Sequence, residues 1–499
     1  MPTNFEPLPL SADTFTGLGT VKTGKVWVPM LRHACSFGPE VFADVMMNLI
    51  KNPNHNSSWL FRADILQDNY VTATSPDLAP EASRLIPVEV DNIPLYRTLV
   101  RRLIPRNIQR DTPLLQTCTF HQSSLIPPDT RGGYMKSLVI YVPHVRDLAE
   151  MPFYHPKVMA VAHLHEWSFE NEEGYVSVHY LPFREHPIDQ DSRLQRTAHQ
   201  LLQILHKHGQ GVLAGYTKRV HHDTLISQAK VQDRYALLKT KHARHLINNW
   251  AESTDPLKHV FEDLGIAAFL IELWADMYEN KDFPGFIDIG CGNGLLVHLL
   301  NQEGYLGWGF DARSRKSWKN YQSTSLDHPG RLNIEQRLLL PAIASKTPKT
   351  TNFSLDPAII HNGMLPSGTF IISNHADELT PWTPVLAALS NCPFMMIPCC
   401  SNDLRGQKYR PPPPKDPTKS KSTYASFVDW VSQISLECGW KLETEALRIP
   451  STRNICLIGR QIVTKVSEND MNQVLVRFGG TDGFADNVAG LVKGPPRSH

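Results

Sequence analysis

Apolar positions along the chain keep two different periods. Residues 136–145, 158–167 and 175–183 alternate or run apolar with β-branched and aromatic side chains, which predicts three antiparallel strands. Residues 192–208 instead carry Leu194, Ala198, Leu201, Leu202 and Leu205 on one face, which predicts a helix stopped by Gly209. With a further helix near Pro39–Lys51, residues 1–215 read as a separate α+β domain. Within residues 92–110, arginines 97, 101, 102, 106 and 110 recur about once per helical turn despite Pro105. The result is a basic stripe that either tracks phosphates or covers a solvated surface.

The second half changes period repeatedly. Asp255 and Pro256 supply an N-cap and a first-turn proline for a helix over 257–278, in which Val260, Phe261, Leu264, Ala268, Ile271 and Trp274 face a core. A strand at Phe286, Ile287 and Ile289 then meets Gly290, Gly292 and Gly294, and leucines at 295, 296, 299 and 300 follow with helical spacing. Strands are expected over 305–310, weakly over 333–340, over 367–373 and at Phe394–Ile397. A helix over 427–438 and a hairpin of 440–448 with 454–459 close the unit. Residues 216–465 thus read as an α/β domain with a mostly parallel, doubly wound sheet, and 466–499 as a loosely structured Gly-rich tail.

The three glycines allow positive φ and leave no Cβ in a ligand's way, while the helix start aims N–H groups at the same space. A dinucleotide fingerprint would need a glycine where Leu295 stands; D-x-G-x-G-x-G, from Asp288 through Cys291 and Asn293 to Gly294, is spaced like an S-adenosylmethionine (AdoMet) site. Asp311, 23 residues after Asp288, ends the second strand, where such a fold puts the carboxylate for a cofactor ribose. Arg313 and Arg315 crowd the same edge. The fourth strand opens at its carboxyl end into Asn374, His375, Ala376, Asp377 and Glu378, where an open parallel sheet keeps its chemistry. Those acids are alternatively a helix cap.

Composition narrows the setting. At 499 residues, 41% hydrophobic and 20% charged, the chain suits a globular protein of two domains. No apolar run approaches the roughly 18 residues of a membrane span, and the N-terminus lacks a secretory pattern. Eight cysteines without C-x-x-C spacing, two of them adjacent at 399 and 400, predict free thiols and a reduced compartment. No metal site stands out: His163 and His165 share a strand face but lack a completing Cys or carboxylate. A net charge of +1 leaves any RNA contact to local patches, such as the Pro-rich basic loop 405–421, residues 218–222 and 239–245, or the arginine stripe.

The segments KHVFEDLGIAAFLIELW, FIDIGCGNGLLVHLL, GFDARSRKSW, SNHADELTPW and IPSTRNICLIGR resemble the eukaryotic tRNA (uracil-2'-O-)-methyltransferase family that modifies uridine 44 of serine tRNAs. The likeness covers roughly residues 215–460. It implies AdoMet as methyl donor, a class I Rossmann-like methyltransferase fold, tRNA as partner, a cytoplasmic location and no membrane. Residues 1–215 would then recognise tRNA. Expected cofactor contacts are Asp288, Gly290, Cys291, Gly292, Asn293, Gly294, Asp311, Arg313 and Asn374. Asp377 or Glu378 is the first choice for a base or orienting acceptor and His375 the second, with Lys241, Lys258 and Lys408 as alternatives. Two rival readings are an AdoMet enzyme acting on another RNA or on a base, and an inactive RNA-binding module that binds no cofactor.

Overall fold

Alternation builds the first unit, residues 1–217. The structure, a computed structural model, describes residues 5–10, 18, 26–70, 90, 93–108, 110–123, 135–183, 188, 191–216, 222–324, 332–344 and 357–491. Eight antiparallel strands are β1 (Leu8–Pro9), β2 (Val28–Cys35), β3 (Leu60–Tyr70), β4 (Leu95–Pro105), β5 (Leu114–Gln122), β6 (Met135–Pro143), β7 (Ala160–Ser168) and β8 (Glu173–Leu181). Their order in the sheet is β1-β2-β8-β7-β6-β5-β4-β3. On β6, Val139 and Tyr141 pack with Phe42 of helix α1 (Pro39–Lys51) and Leu202 of helix α2 (Ser192–Leu213); Leu138, Ile140 and Val142 enter a second cluster with Trp27 and Ile93. The three predicted strands are therefore buried on both faces, which explains their apolar runs.

Two expectations change here. Arginines 97, 101 and 102 of the stripe lie on strand β4, not on a helical face, and Arg106 and Arg110 follow it: Arg101 is 3% exposed while its neighbour Arg102 is exposed. Arg101 donates to the Ile50 carbonyl (2.6 Å) and to Gln116 Oε1 (2.6 and 2.9 Å), so it satisfies an end of α1 that lacks helical partners. Arg97 is paired with Asp68 at 2.8 Å. Gly209 does not stop α2, which runs four residues further; a Cβ there would lie 2.3 Å from the Phe37 ring, so the glycine serves close packing. His163 and His165 are core residues. Burial pushes them down to about 3 and about 4, and His165 Nε2 bonds the Phe37 carbonyl at 2.9 Å.

The second unit, residues 218–499, begins with α3 (Gln228–Leu238), a π-helical turn Lys239–Ala243 and α4 (Arg244–Asn248); the basic residues at 218–221 lie outside the described residues. Helix α5 (Pro256–Met277) starts as expected, Asp255 accepting from the Leu257 amide at 2.9 Å. There follow β9 (Phe286–Ile289), α6 (Leu295–Gln302), β10 (Gly307–Asp311), α7 (Trp318–Tyr321), β11 (Ile334–Gln336), β12 (Leu338–Leu339), β13 (Ile360–His361), β14 (Phe370–Asn374), α8 (Thr383–Ser390), β15 (Phe394–Ile397), α9 (Thr423–Glu437), β16 (Trp440–Ala446) and β17 (Ile455–Ile462). The main sheet runs β11-β10-β9-β14-β15-β17-β16, parallel from β11 to β15 and antiparallel at β17 and β16. Side chains alternate between two cores, Phe286, Ile372 and Met395 on the α5 and α6 side, Ile287, Ile371 and Phe394 on the α8 and α9 side.

Residues 467–491 are not the loose segment expected there. Helices α10 (Glu468–Arg477) and α11 (Phe484–Leu491) insert Met471, Val474, Leu475, Phe484 and Val488 into the second core, a helical repeat that the surrounding glycines hid. The weak third strand is two short ones, β11 and β12, because β12 leaves the main sheet to pair with β13. Among the described residues no helix is long and apolar enough to cross a membrane.

Candidate active site

Gly290, Gly292 and Gly294 all have positive φ (+76°, +54° and +77°), and each serves a different end. A Cβ on Gly290 would press on Ala376 at 3.1 Å and one on Gly294 would overlap Ile334 at 2.6 Å, so these two glycines pack the turn. A Cβ on Gly292 would meet nothing within 4 Å. It is therefore the glycine that leaves room over bare main chain. The turn is pinned from outside: Trp318 Nε1 donates to the Gly292 carbonyl (2.9 Å), and the Ser317 hydroxyl, with its single proton, lies within reach of the Asn293 carbonyl (2.8 Å) and Glu252 Oε1 (2.7 Å).

The turn's amides are largely used within the protein. Gly290 and Cys291 donate to the Phe310 carbonyl (2.8 and 3.0 Å), Leu295 donates to Asn293 Oδ1 (2.8 Å), and the Asp311 carboxylate takes the Gly292 and Arg313 amides at 3.1 Å each. A row of free N–H groups is thus not what the turn offers; Asp311 retains further lone pairs and holds the turn to β10 at once.

Two cavities flank this turn. The larger, about 540 Å³, is lined by Asp288, Gly290, Cys291, Gly292, Asn293, Asn374 and His375 among the expected residues. Lys258, His259, Glu262, Asp263, Arg315, Cys399, Cys400 and Arg453 also reach it. The smaller, about 120 Å³, takes Asp311, Arg313, Asp377 and Glu378, and shares Gly290, Gly292, Arg315 and His375 with the first. Gly294 lines neither. Of the alternative lysines, Lys258 is in the larger cavity, whereas Lys241 is paired with Glu303 at 2.8 Å.

Carboxyl groups crowd the floor. Burial, then the charges of Asp263 and Asp311, hold the Asp288 carboxyl well above its ordinary range; burial and neighbouring Glu262 push Asp263 up to about 8. Asp288 Oδ1 and Asn374 Oδ1 are buried and, among the described residues, have no hydrogen-bond partner. The α-ammonium and sulfonium of AdoMet would answer both features, and the open space over Gly292 would admit it. The residues present fit that cofactor.

At the end of β14 the chain is strained: His375 and Asp377 have φ of +51° and +45°. His375 Nε2 lies 3.1 Å from Glu262 Oε1, and its Nδ1 is buried and without a partner among the described residues. Burial raises Glu262, but the His375 hydrogen bond and the charges of His375, Lys258 and His259 outweigh it and leave the carboxyl lowered. Asp377 instead accepts from the Cys399 thiol at 3.0 Å. Next door, the hydrogen bond with Cys399 brings Cys400 down to about 7. Glu262 and Asp263 did not stand out in the sequence. Two adjacent acids inside the apolar run of α5 are the signal that would have found them.

A family profile described as "TRM44-like, N-terminal bet v1-like domain" matches residues 6–219, and one described as "Predicted AdoMet-dependent methyltransferase" matches residues 225–328. The chain is 54% identical over 477 residues to a tRNA (uracil-O(2)-)-methyltransferase of Neurospora crassa, with 94% of this chain and 93% of that protein covered. Proteins of the same name from Yarrowia lipolytica and Schizosaccharomyces pombe are each 39% identical; the first alignment covers 95% of this chain and 97% of the relative, the second 95% and 94%. With near full-length identity of this order in both halves, and an AdoMet-shaped turn where the second profile falls, the chain belongs to the tRNA (uracil-O(2)-)-methyltransferase family.

Proposed function

We propose that this chain methylates the ribose 2'-oxygen of a uridine in tRNA, with AdoMet as donor. The observation that carries the reading is the glycine turn bound to Asp311 beside buried, unpartnered Asp288 and Asn374 oxygens, in a chain whose relatives bear that enzyme's name. By resemblance the acceptor is uridine 44 of serine tRNA and the setting the cytoplasm. The sheet order, parallel as far as β15, supports a class I methyltransferase domain over residues 216–465. Residues 1–215 would recognise tRNA.

The cofactor supplies a methyl on a sulfonium, already electrophilic, so the chain's task is to hold and deprotonate. Asp288 and Asn374 would bind the cofactor's amino-acid end, Asp311 its ribose, and Gly292 would keep the approach open, with Arg313 at the edge. His375 is the better base than Asp377 or Glu378. It borders both cavities, its Nε2 is oriented by Glu262, and Nδ1 is left to take the hydroxyl proton. Asp377 is committed to the Cys399 thiol, and Glu378 lines only the smaller cavity.

The test incubates the pure protein with labelled AdoMet and total tRNA and maps the product by nuclease digestion and mass spectrometry. A methyl on a uridine 2'-oxygen is expected; one on a base nitrogen or carbon refutes the reading. His375→Gln should lower kcat roughly 100-fold or more, in the range of a lost general base, with AdoMet affinity kept. Glu378→Gln should retain most turnover.

A further inference from the structure

We propose that Asp377, Cys399 and Cys400 form a binding site for a zinc-class divalent cation at the adjoining carboxyl ends of β14 and β15. This goes beyond methyl transfer and does not depend on it. One ligand atom from each of the three residues lies within 4.8 Å of the other two. A tetrahedral ion with bonds of about 2.3 Å to sulfur and 2.0–2.2 Å to oxygen needs donors roughly 3.5–4 Å apart, so the three sit at nearly the right spacing. In sequence they are 22 residues apart, which hid the set. Parallel pairing of Asn374 with Ile397 closes that gap.

Two of the donors are held from behind. The positive φ of Asp377, costly for a residue with a side chain, turns its carboxylate to the Cys399 thiol. The Arg453 guanidinium donates to the Cys399 carbonyl and fixes the loop after β15. Cys399 is buried and Cys400 half-buried, and both border the larger cavity, so three protein ligands would leave a fourth position open toward it. Two sulfurs with one oxygen select a soft or borderline ion such as zinc; magnesium and calcium want oxygen alone. Binding forms two metal–sulfur bonds and one metal–oxygen bond. The two thiol protons go to solvent, the Cys399 to Asp377 hydrogen bond is given up, and nothing is oxidised. The other six cysteines, at 35, 118, 291, 392, 438 and 456, join no such group among the described residues.

Full-length protein, stripped with chelator and kept reduced with a phosphine, would be titrated with cobalt(II). One equivalent should produce thiolate-to-cobalt charge-transfer absorption, and zinc should abolish it. Cys400→Ser should remove most of the band, and Asp377→Asn should weaken affinity at least tenfold with the band retained. A folded, reduced wild-type chain that gives no band overturns the site, as does a band unchanged in Cys399→Ser and Cys400→Ser. Should those variants fail to fold, alkylation of the wild type decides: zinc should protect Cys399 and Cys400 in peptide mapping, and equal labelling with and without zinc overturns the proposal.

Discussion

Gly292 is the position where a single Cβ separates fold from binding. A Cβ at Gly290 or Gly294 would crowd Ala376 or Ile334, so a side chain at either disturbs packing, whereas at Gly292 it projects into open space. Gly292→Val should therefore abolish AdoMet binding by calorimetry while lowering the melting temperature only by the backbone strain at φ +54°. Unchanged affinity would remove this turn from the cofactor site. Asp263 makes a second, pH-based prediction. Its carboxyl is raised to about 8, so at neutral pH it is mostly protonated in the free protein. A bound cation favours the ionised form, so AdoMet binding near pH 7 should release a proton, visible as a binding enthalpy that depends on the buffer's ionisation heat. Affinity should rise with pH up to about 8 and then level off, and Asp263→Asn should flatten that rise. For stability the sign is opposite. A carboxyl raised on folding stabilises the free protein below its unfolded value near 4, and that contribution is lost as pH climbs through about 8.

Helix α2 shows an element winning over its own punctuation. Gly209 costs the helix about 1 kcal/mol against alanine, yet the helix continues because the bare backbone lets the buried Phe37 ring lie against it. Gly209→Ala would gain that propensity and meet the ring at 2.3 Å; overpacking of about 1–3 kcal/mol should win and lower the unfolding midpoint of the full-length protein. A neutral or stabilising result would mean that Phe37 can step aside. The same competition marks what the sequence could tell. The glycine turn, its flanking strand and helix, and Asp311 were legible because they are contiguous and their period is local. Strand β4 was not: the arginines from 97 to 110 recur at intervals of four, one, four and four, which imitates a helix, and only the burial of Arg101 against the end of α1 settles the matter. The floor of the site was equally hidden. Glu262 reaches His375 across 113 residues, and Asp377 reaches Cys399 only because β14 and β15 are neighbours.

At the scale of the whole molecule the charges nearly cancel, 50 basic against 49 acidic, so attraction to a polyanion has to be local. The Pro-rich loop 405–421 is more ordered than its composition implied. Arg405 is clamped by Asp403 at 2.7 Å and Lys419 by Asp429 at 2.6 Å, while Pro411 and Pro414 are buried. Two of its six cations are thus spoken for, by acids outside the loop. Arg410, Lys415 and Lys421 remain exposed and, among the described residues, make no ion pair, on a chain whose conformation the prolines restrict. A pre-ordered row of cations loses less entropy on meeting phosphates than a floppy one, which favours this loop as the phosphate contact. Each phosphate neutralised contributes roughly 0.7–0.9 to the slope of log affinity against log salt. Changing Arg410, Lys415 and Lys421 together to glutamine should therefore flatten the tRNA salt dependence by about 2–3 and weaken binding most at low salt, with AdoMet affinity unchanged as the control. If the slope is the same in the triple variant, the loop carries no phosphate contact, and the exposed Arg102, Arg106 and Arg110 become the next cations to neutralise.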